Sequence, residues 1–464
     1  MFTSTRRALA LGAALVLLGL AACSGGTEEQ GGGADNKIVV WTGDTLPDRV
    51  AKTKDIIAKF TAATGVQVDL VGVDEDQFNQ LLTSAAAAGE LPDVVGSQPL
   101  AAVRTLSTND LLNTDATAAV IDNLGADTFS PRSLELTRQG DKQLSVPSDA
   151  WSQLLYYRKD LFEKAGLQPP QTYADITAAA KALDSAKVAG FVGATTPGDA
   201  FTQQTFEHLA LGNGCQMVDD AGEVTMDSPQ CVAAFQFYGD LIKSYSVSGT
   251  QDVDTVRASY FAGQSAMAIW STFLLDELAG LRNDAKPNCP ECKQDPKFLA
   301  ENTGVVAAVA GPDGQPAQFG EVSSWAITAT AKAEPSQQFI EYMLSDGYTD
   351  WVAIAPEGKY PVRKGTKDNP TQFVDAWKGL EIGVDKKAPI SEFYSQDVID
   401  ILTSGADKFS RWGITQGQGD LVGASLGELP VPKAIGKLTS GGTDAAGAAK
   451  QTSDELKTIK KSLD

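Results

Sequence analysis

Histidine is almost missing from this chain: His208 is the only one in 464 residues. A serine–histidine hydrolase would have to use that residue, and no Gly-x-Ser-x-Gly elbow accompanies it. The surrounding QQTFEHLALG reads as a helix, which gives His208 a surface or capping role. There is no Walker-type Gly-Lys-Ser/Thr loop and no His-Glu-x-x-His, so nucleotide and zinc-protease chemistry lack their usual carriers. Basic residues are scarce too: 38 Lys and Arg stand against 59 Asp and Glu, a formal charge of −21. So acidic a body repels nucleic acid and anionic lipid. Beyond the first two dozen residues no long uncharged apolar run occurs, and spanning a bilayer takes about 20 apolar residues.

Cysteines are few, five in all. The first closes a three-part leader: Arg6 and Arg7, an apolar stretch from Ala8 to Leu20, then small residues before Cys23. That is the pattern of a cleavable export signal over 1–22. Leu20-Ala21-Ala22-Cys23 also resembles the bacterial lipobox, in which the cysteine thiol is joined to diacylglycerol and the chain is cut just before it. The expectation is an extracytoplasmic protein anchored to the cell membrane through Cys23, with ordinary secretion as the alternative. Residues 23–36, rich in Gly, Ser and Glu, then form a flexible tether. Losing the leader with its two arginines takes the formal charge from −21 to −23. The other cysteines, Cys215, Cys231, Cys289 and Cys292, suit an oxidising compartment and allow three pairings. Cys215 and Cys231 flank QMVDDAGEVTMDSPQ, which reads as a hairpin running into a helix, and Cys289 and Cys292 flank the short CPEC turn, so these pairs are expected. A zinc site would need two further ligands that the chain does not supply. Neither metal nor cofactor is expected.

After the tether, KIVVW reads as a buried strand, and Val50, Ile56, Ile57 and Phe60 mark a helix that Gly65 ends. VQVDLV returns as a strand. Such a unit pairs its strands in parallel and places a ligand crevice at their carboxyl ends, near Thr42 to Thr45. LPDVVGSQ brings Gly96 to Gln98 to the same end.

The middle of the chain is familiar as well. VPSDAWSQLLYYRKDLFEKAGLQPPQTYADITAAAKAL (146–183) resembles bacterial extracellular solute-binding proteins of the carbohydrate, maltose-binding-like class. SYFAGQSAMAIWSTFLLDEL, GVVAAVAGPDG, GEVSSWAITATAKAEPSQQFIEYMLS and EGKYPVRKG resemble the same family in the same order, so the likeness covers nearly the whole mature chain. It implies an α/β fold of two lobes joined by crossing segments, with the ligand in the cleft between them. On that template the N-terminal lobe takes 37–146 plus 312–360 and the C-terminal lobe 147–311 plus 361–464. Crossings fall near Val146-Pro147, Val305 to Gly311, and Lys359 to Arg363.

A sugar presents hydroxyls and C–H faces, so its site needs aromatic platforms among a few hydrogen-bonding groups. The platform candidates are Trp151, Trp270, Phe273, Trp325 and Tyr394, with Trp151, Phe273 and Tyr394 taken from matching family positions. The polar candidates are Asp44, Ser97, Gln98, Asp149, Thr196, Asp199, Glu321, Ser323 and Arg363. In maltose-type relatives a Trp and an Asp-Arg pair follow the third strand, where this chain has Gly96, Ser97 and Gln98, which speaks against maltodextrin. The expected function is capture of a sugar or oligosaccharide by lobe closure and delivery to the permease of an ABC importer, by a monomer that catalyses nothing. Two alternatives stay open. One is the same receptor for a glycerophosphodiester, which would want cleft arginines, or a polyamine, which would want carboxylates near aromatics. The other is a glycan-acting enzyme, which would need two cleft carboxylates such as Asp149 and Asp199 for acid–base work.

Overall fold

Strand β1 (Lys37–Thr42) buries Ile38, Val40 and Thr42 on one face, while Val39 and Trp41 on the other face of the apolar run KIVVW are partly covered. Helix α1 (Pro47–Thr64) starts on a proline, whose missing N–H costs nothing in a first turn. It buries Thr53, Ile56, Ile57 and Phe60, a stripe spaced for one helical face, and stops where Gly65 adopts φ 78° and donates its N–H to the Thr61 carbonyl. β2 (Gln67–Gly72) then pairs parallel to β1, and after α2 (Glu75–Ala88) β3 (Val94–Gln98) pairs parallel on its other side. α3 (Leu100–Thr108) follows directly. The computed structural model describes residues 36–463; the leader over 1–22 and Cys23 lie outside the described residues.

The rest of the chain adds β4 (Val146–Arg158), α4 (Tyr173–Leu183), α5 (Ala200–Gly212), α6 (Pro229–Tyr245), β5 (Met267–Ser271), β6 (Thr303–Val306) and β7 (Gln318–Ile327). Two short strands, β8 (Tyr360–Pro361) and β9 (Phe409–Ser410), precede α7 (Gly419–Glu428), α8 (Pro430–Thr439) and α9 (Ala445–Leu463). α4 opens with a capping box, in which the Thr172 and Asp175 side chains each bond to the other's backbone N–H.

The main path through the nine-stranded sheet is β2-β1-β3-β7-β4-β8. β4 changes partners along its length. From Val146 to Ser152 it pairs antiparallel with β7, and from Gln153 onward with β5 on one side and β6 on the other. One strand thus belongs to two sheet regions. α1 lies on β2 and α5 on β4 and β7, while α6, α8 and α9 pack on one another. This is the two-lobe α/β architecture that the resemblance implies.

Both expected disulfides, Cys215–Cys231 and Cys289–Cys292, are formed. His208 is a correction: it does not lie on a helix surface but is fully buried in α5, with neither ring nitrogen hydrogen-bonded. Burial lowers its pKa to about 4, so it is neutral at physiological pH. Among the described residues no helix is long and apolar enough to cross a membrane.

Candidate ligand-binding cleft

The strand ends meet around a cavity of about 260 Å³. β4 and β7 supply its floor. Asp149 stands opposite Ser323 and Trp151 opposite Glu321 in their ladder, and alternate residues of a strand share a face, so all four reach the cavity. At the end of β3 the ladder to β7 slips between Val95 and Gln98, and Ser97 takes φ 56°, which turns Ser97 and Gln98 into the cavity. Gly96 is required there: a Cβ on it would sit 2.2 Å from the Trp325 ring. Asp44 enters from the loop after β1, and Phe273 from the turn after β5.

The cavity carries charge of both signs, already paired. The Asp44 carboxylate lies 3.4 Å from Arg49 Nη1 and 3.4 Å from Lys359 Nζ. Burial pushes its pKa up, but Lys359 and Arg49 together outweigh burial and hold it below the usual carboxylate range. Lys359 also lies 4.0 Å from the Asp149 carboxylate and 4.1 Å from the centre of the Trp351 ring. Asp149 accepts hydrogen bonds from Ser148 Oγ at 2.8 Å and Trp351 Nε1 at 2.7 Å. On another wall Arg411 bridges two carboxylates, with Nε 3.3 Å from Glu207 and Nη1 bonded to Glu321. Glu207 also accepts from the Trp412 amide, and Glu321 from the Leu100 amide at the start of α3. Burial raises the Glu207 pKa against the pull of Arg411. For Arg411 burial works downward, but Glu321 and Glu207 outweigh it and keep the guanidinium charged.

Between these networks the lining is neutral or aromatic. Trp151 and Phe273 lie 6.4 Å apart, centre to centre, and the Arg49 guanidinium sits 4.9 Å above Phe273. Ser97 Oγ and Gln203 Oε1, both in cavity-lining residues, have no hydrogen-bond partner, and Gln204 lines the cavity beside them. Beyond Phe273, Asp276 and Glu357 are buried acids, each with one unpartnered oxygen. Burial, then repulsion from Glu357 and Glu277, pushes the Asp276 pKa up to about 9.

Asp44, Ser97, Gln98, Asp149, Trp151, Phe273, Glu321 and Ser323 therefore share one cavity. The remaining candidates lie outside its lining. Trp325 is fully buried between Trp351 and Phe339. Trp270 packs on Phe201 and donates to the Val253 carbonyl, and the Tyr394 hydroxyl donates to the Leu275 carbonyl. Arg363 turns inward to the carbonyls of Leu344 and Leu124 and to Thr128, and burial lowers its pKa. Thr196 donates to the Gln251 carbonyl, and Asp199 caps α5. Sequence reasoning missed Arg49, Phe78, Gln203, Gln204, Glu207, Lys359, Arg411, Val422 and Leu426. Gln203, Gln204 and Glu207 carried a signal, since their spacing puts polar groups on one face of a helix. Arg411, in the loop after β9, carried none.

A sequence model of the family described as bacterial extracellular solute-binding protein matches residues 43–350. The chain belongs to that family. Its members serve solute transport rather than catalysis. This solute-binding protein is 28% identical over 399 residues to the putative ABC transporter periplasmic-binding protein YcjN of Escherichia coli (strain K12), covering 83% of this chain and 86% of the relative. Among solved structures, maltose-bound MalE3 of T. maritima is similar with a TM-score of 0.69 at 20% identity, over 91% of this chain and 99% of that one. UgpB of Mycobacterium tuberculosis in complex with glycerophosphocholine is similar with a TM-score of 0.68 at 18% identity, over 91% and 98%. At these identities the two structures establish the fold.

Proposed function

We propose that this solute-binding protein of an ABC transporter captures a neutral sugar or oligosaccharide in the cavity described above and hands it to its permease. The observation that supports a neutral ligand is the pairing of the cavity's charges. Arg49 and Lys359 are engaged by Asp44 and Asp149, and Arg411 by Glu207 and Glu321. A phosphodiester would have to take a buried cation from its carboxylate, and a polyamine would have to take a carboxylate from its cation; breaking one such pair costs about 3–5 kcal/mol. A sugar needs neither. It can stack a C–H face on Trp151 or Phe273 and bond its hydroxyls to Ser97, Gln98, Gln203 and the outer edges of the ion pairs. A glycan-acting enzyme finds less support. Asp149 already accepts from Ser148 and Trp351, and Asp199 caps a helix, so the proposed acid–base pair is otherwise employed.

On this reading the lobes, taken as 37–146 with 312–360 and 147–311 with 361–464, close by bending near the point where β4 exchanges partners. A lipid on Cys23 keeps a monomeric receptor near its permease and raises its effective concentration there. Calorimetry of the mature protein against neutral sugars, glycerophosphocholine and spermidine at low and high salt tests the ligand class. A sugar should bind with an affinity that salt barely changes. Tight, salt-sensitive binding of either charged compound, with no sugar bound, would overturn the reading.

A further inference from the structure

One end of the cavity is apolar. Ala101 and Ala102 of α3 and Val422 and Leu426 of α7 line it, and the two helices pack against each other. Gly423 sets how closely they approach: a Cβ there would sit 2.8 Å from the Thr105 amide nitrogen and 3.1 Å from the Ala101 carbonyl oxygen. Gly419, four residues earlier and so on the same helix face, would place a Cβ 2.6 Å from Arg104 Cδ. The seam is pinned from outside. The Asp420 carboxylate accepts from Thr108 Oγ1 at 3.0 Å and from Gln139 Nε2 at 3.1 Å. A contact too tight for a methyl group admits no sugar ring.

We propose that this seam makes the site a blind pocket that takes the end of a short saccharide and encloses at most two rings, with Gly423 keeping the end shut and Val422 and Leu426 forming the wall. The proposal rests on the sugar reading above. Two further observations carry it. The cavity, about 260 Å³, falls below the roughly 300–1,000 Å³ of pockets that enclose drug-sized ligands. The four side chains at this end are all alkyl, so a ring driven past them would leave its hydroxyls without partners, whereas a terminal ring can present a C–H face.

The test uses the mature protein and linear α-1,4-, β-1,3- and β-1,4-glucose series of one to five units, with ring-closed glucans as the endless counterpart. In the series that binds, affinity should rise to two units and gain less than about threefold beyond, and the ring-closed form should bind at least 100-fold more weakly. Leu426→Ala, a partly exposed wall position, should give the third unit a gain of tenfold or more. Gly423→Ala, whose methyl group must push the two helices apart, should likewise give the third unit a gain; if that variant is poorly folded by thermal melting, Leu426→Ala decides. Affinity that climbs past two units in the wild type, equal binding of a ring-closed glucan, or an unchanged profile in Leu426→Ala would overturn the blind end and leave the sugar reading standing. Absence of binding by every saccharide would overturn both.

Discussion

Replacing Arg411 by methionine keeps much of the side-chain volume and removes the charge that holds two buried carboxylates. Glu207 and Glu321 are each at most 2% exposed, so water cannot take over from the guanidinium. Losing one partner of a buried pair typically costs about 3–5 kcal/mol. Here the backbone amides of Trp412, Leu100 and Val322 continue to bond the two carboxylates, which places the expected loss near the lower figure, about 3 kcal/mol at pH 8. The pH dependence supplies an internal check. Burial already raises the Glu207 pKa, and without Arg411 it rises further. A carboxyl whose pKa is higher in the folded than in the unfolded state favours folding when protonated and loses that contribution as pH rises. The deficit of Arg411→Met should therefore shrink on going from pH 8 to pH 5, to about half. Adding Glu207→Gln, which buries an amide instead of a charge, should recover about 1 kcal/mol at pH 8. Denaturant unfolding of the three proteins at both pH values measures this. A deficit below about 1 kcal/mol, or one that is equal at pH 5 and pH 8, would refute the reasoning.

Trp151→Ala should cost affinity more than stability. A ring burying about 100 Å² against a sugar contributes about 2.5 kcal/mol at ~25 cal/mol per Å², roughly 50-fold in dissociation constant, which calorimetry reads against the unfolding midpoint. Phe273→Ala should lose both, because its ring also fills the space where a Cβ on Gly358 would sit, 2.0 Å away. Asp276→Asn should flatten the pH dependence of stability: the wild-type carboxyl, held at about 9, favours folding fully below 3.8 and loses that contribution as pH rises to about 9. Unfolding free energies of both proteins from pH 5 to pH 9 decide it, and parallel curves would count against a protonated Asp276. Cys23→Ser should abolish a lipid adduct on the N-terminal peptide; an intact-mass spectrum of wild-type protein without lipid would remove the anchor.

Pattern and punctuation carried the fold a long way. The apolar run KIVVW and the helix marked by Ile56, Ile57 and Phe60 and ended by Gly65 act within a few residues, and the structure builds a strand and a helix there. The cavity was half legible. Asp149 and Trp151 could be placed because the family resemblance puts them at the first crossing, and the strand ladder then sets them on one face; for an isolated tryptophan the sequence names the ring without its neighbours. Trp325 is the example: it lies two residues along the same strand from Ser323, yet its ring packs under Gly96 and against Trp351, contacts made between distant segments. Arg363 could be read as a basic residue at a crossing, but not as one whose donors turn inward to carbonyls. Arg411 meets Glu207 and Glu321 only because β9 pairs with β7.

The position of β7 between β3 and β4 has a consequence for how the protein is made. When β3 leaves the ribosome, one of its edges has no neighbour, and the strand that will cover it begins only at Gln318. At ~5–20 residues per second that gap lasts roughly 10 to 45 seconds. An unpaired strand edge is a template for wrong partners, so the chain spends that interval in its most aggregation-prone form. Chains truncated before residue 318 should accordingly fail to protect β3 from hydrogen exchange, whereas chains extended past residue 327 should begin to protect it; early protection of β3 would show that its edge finds cover elsewhere.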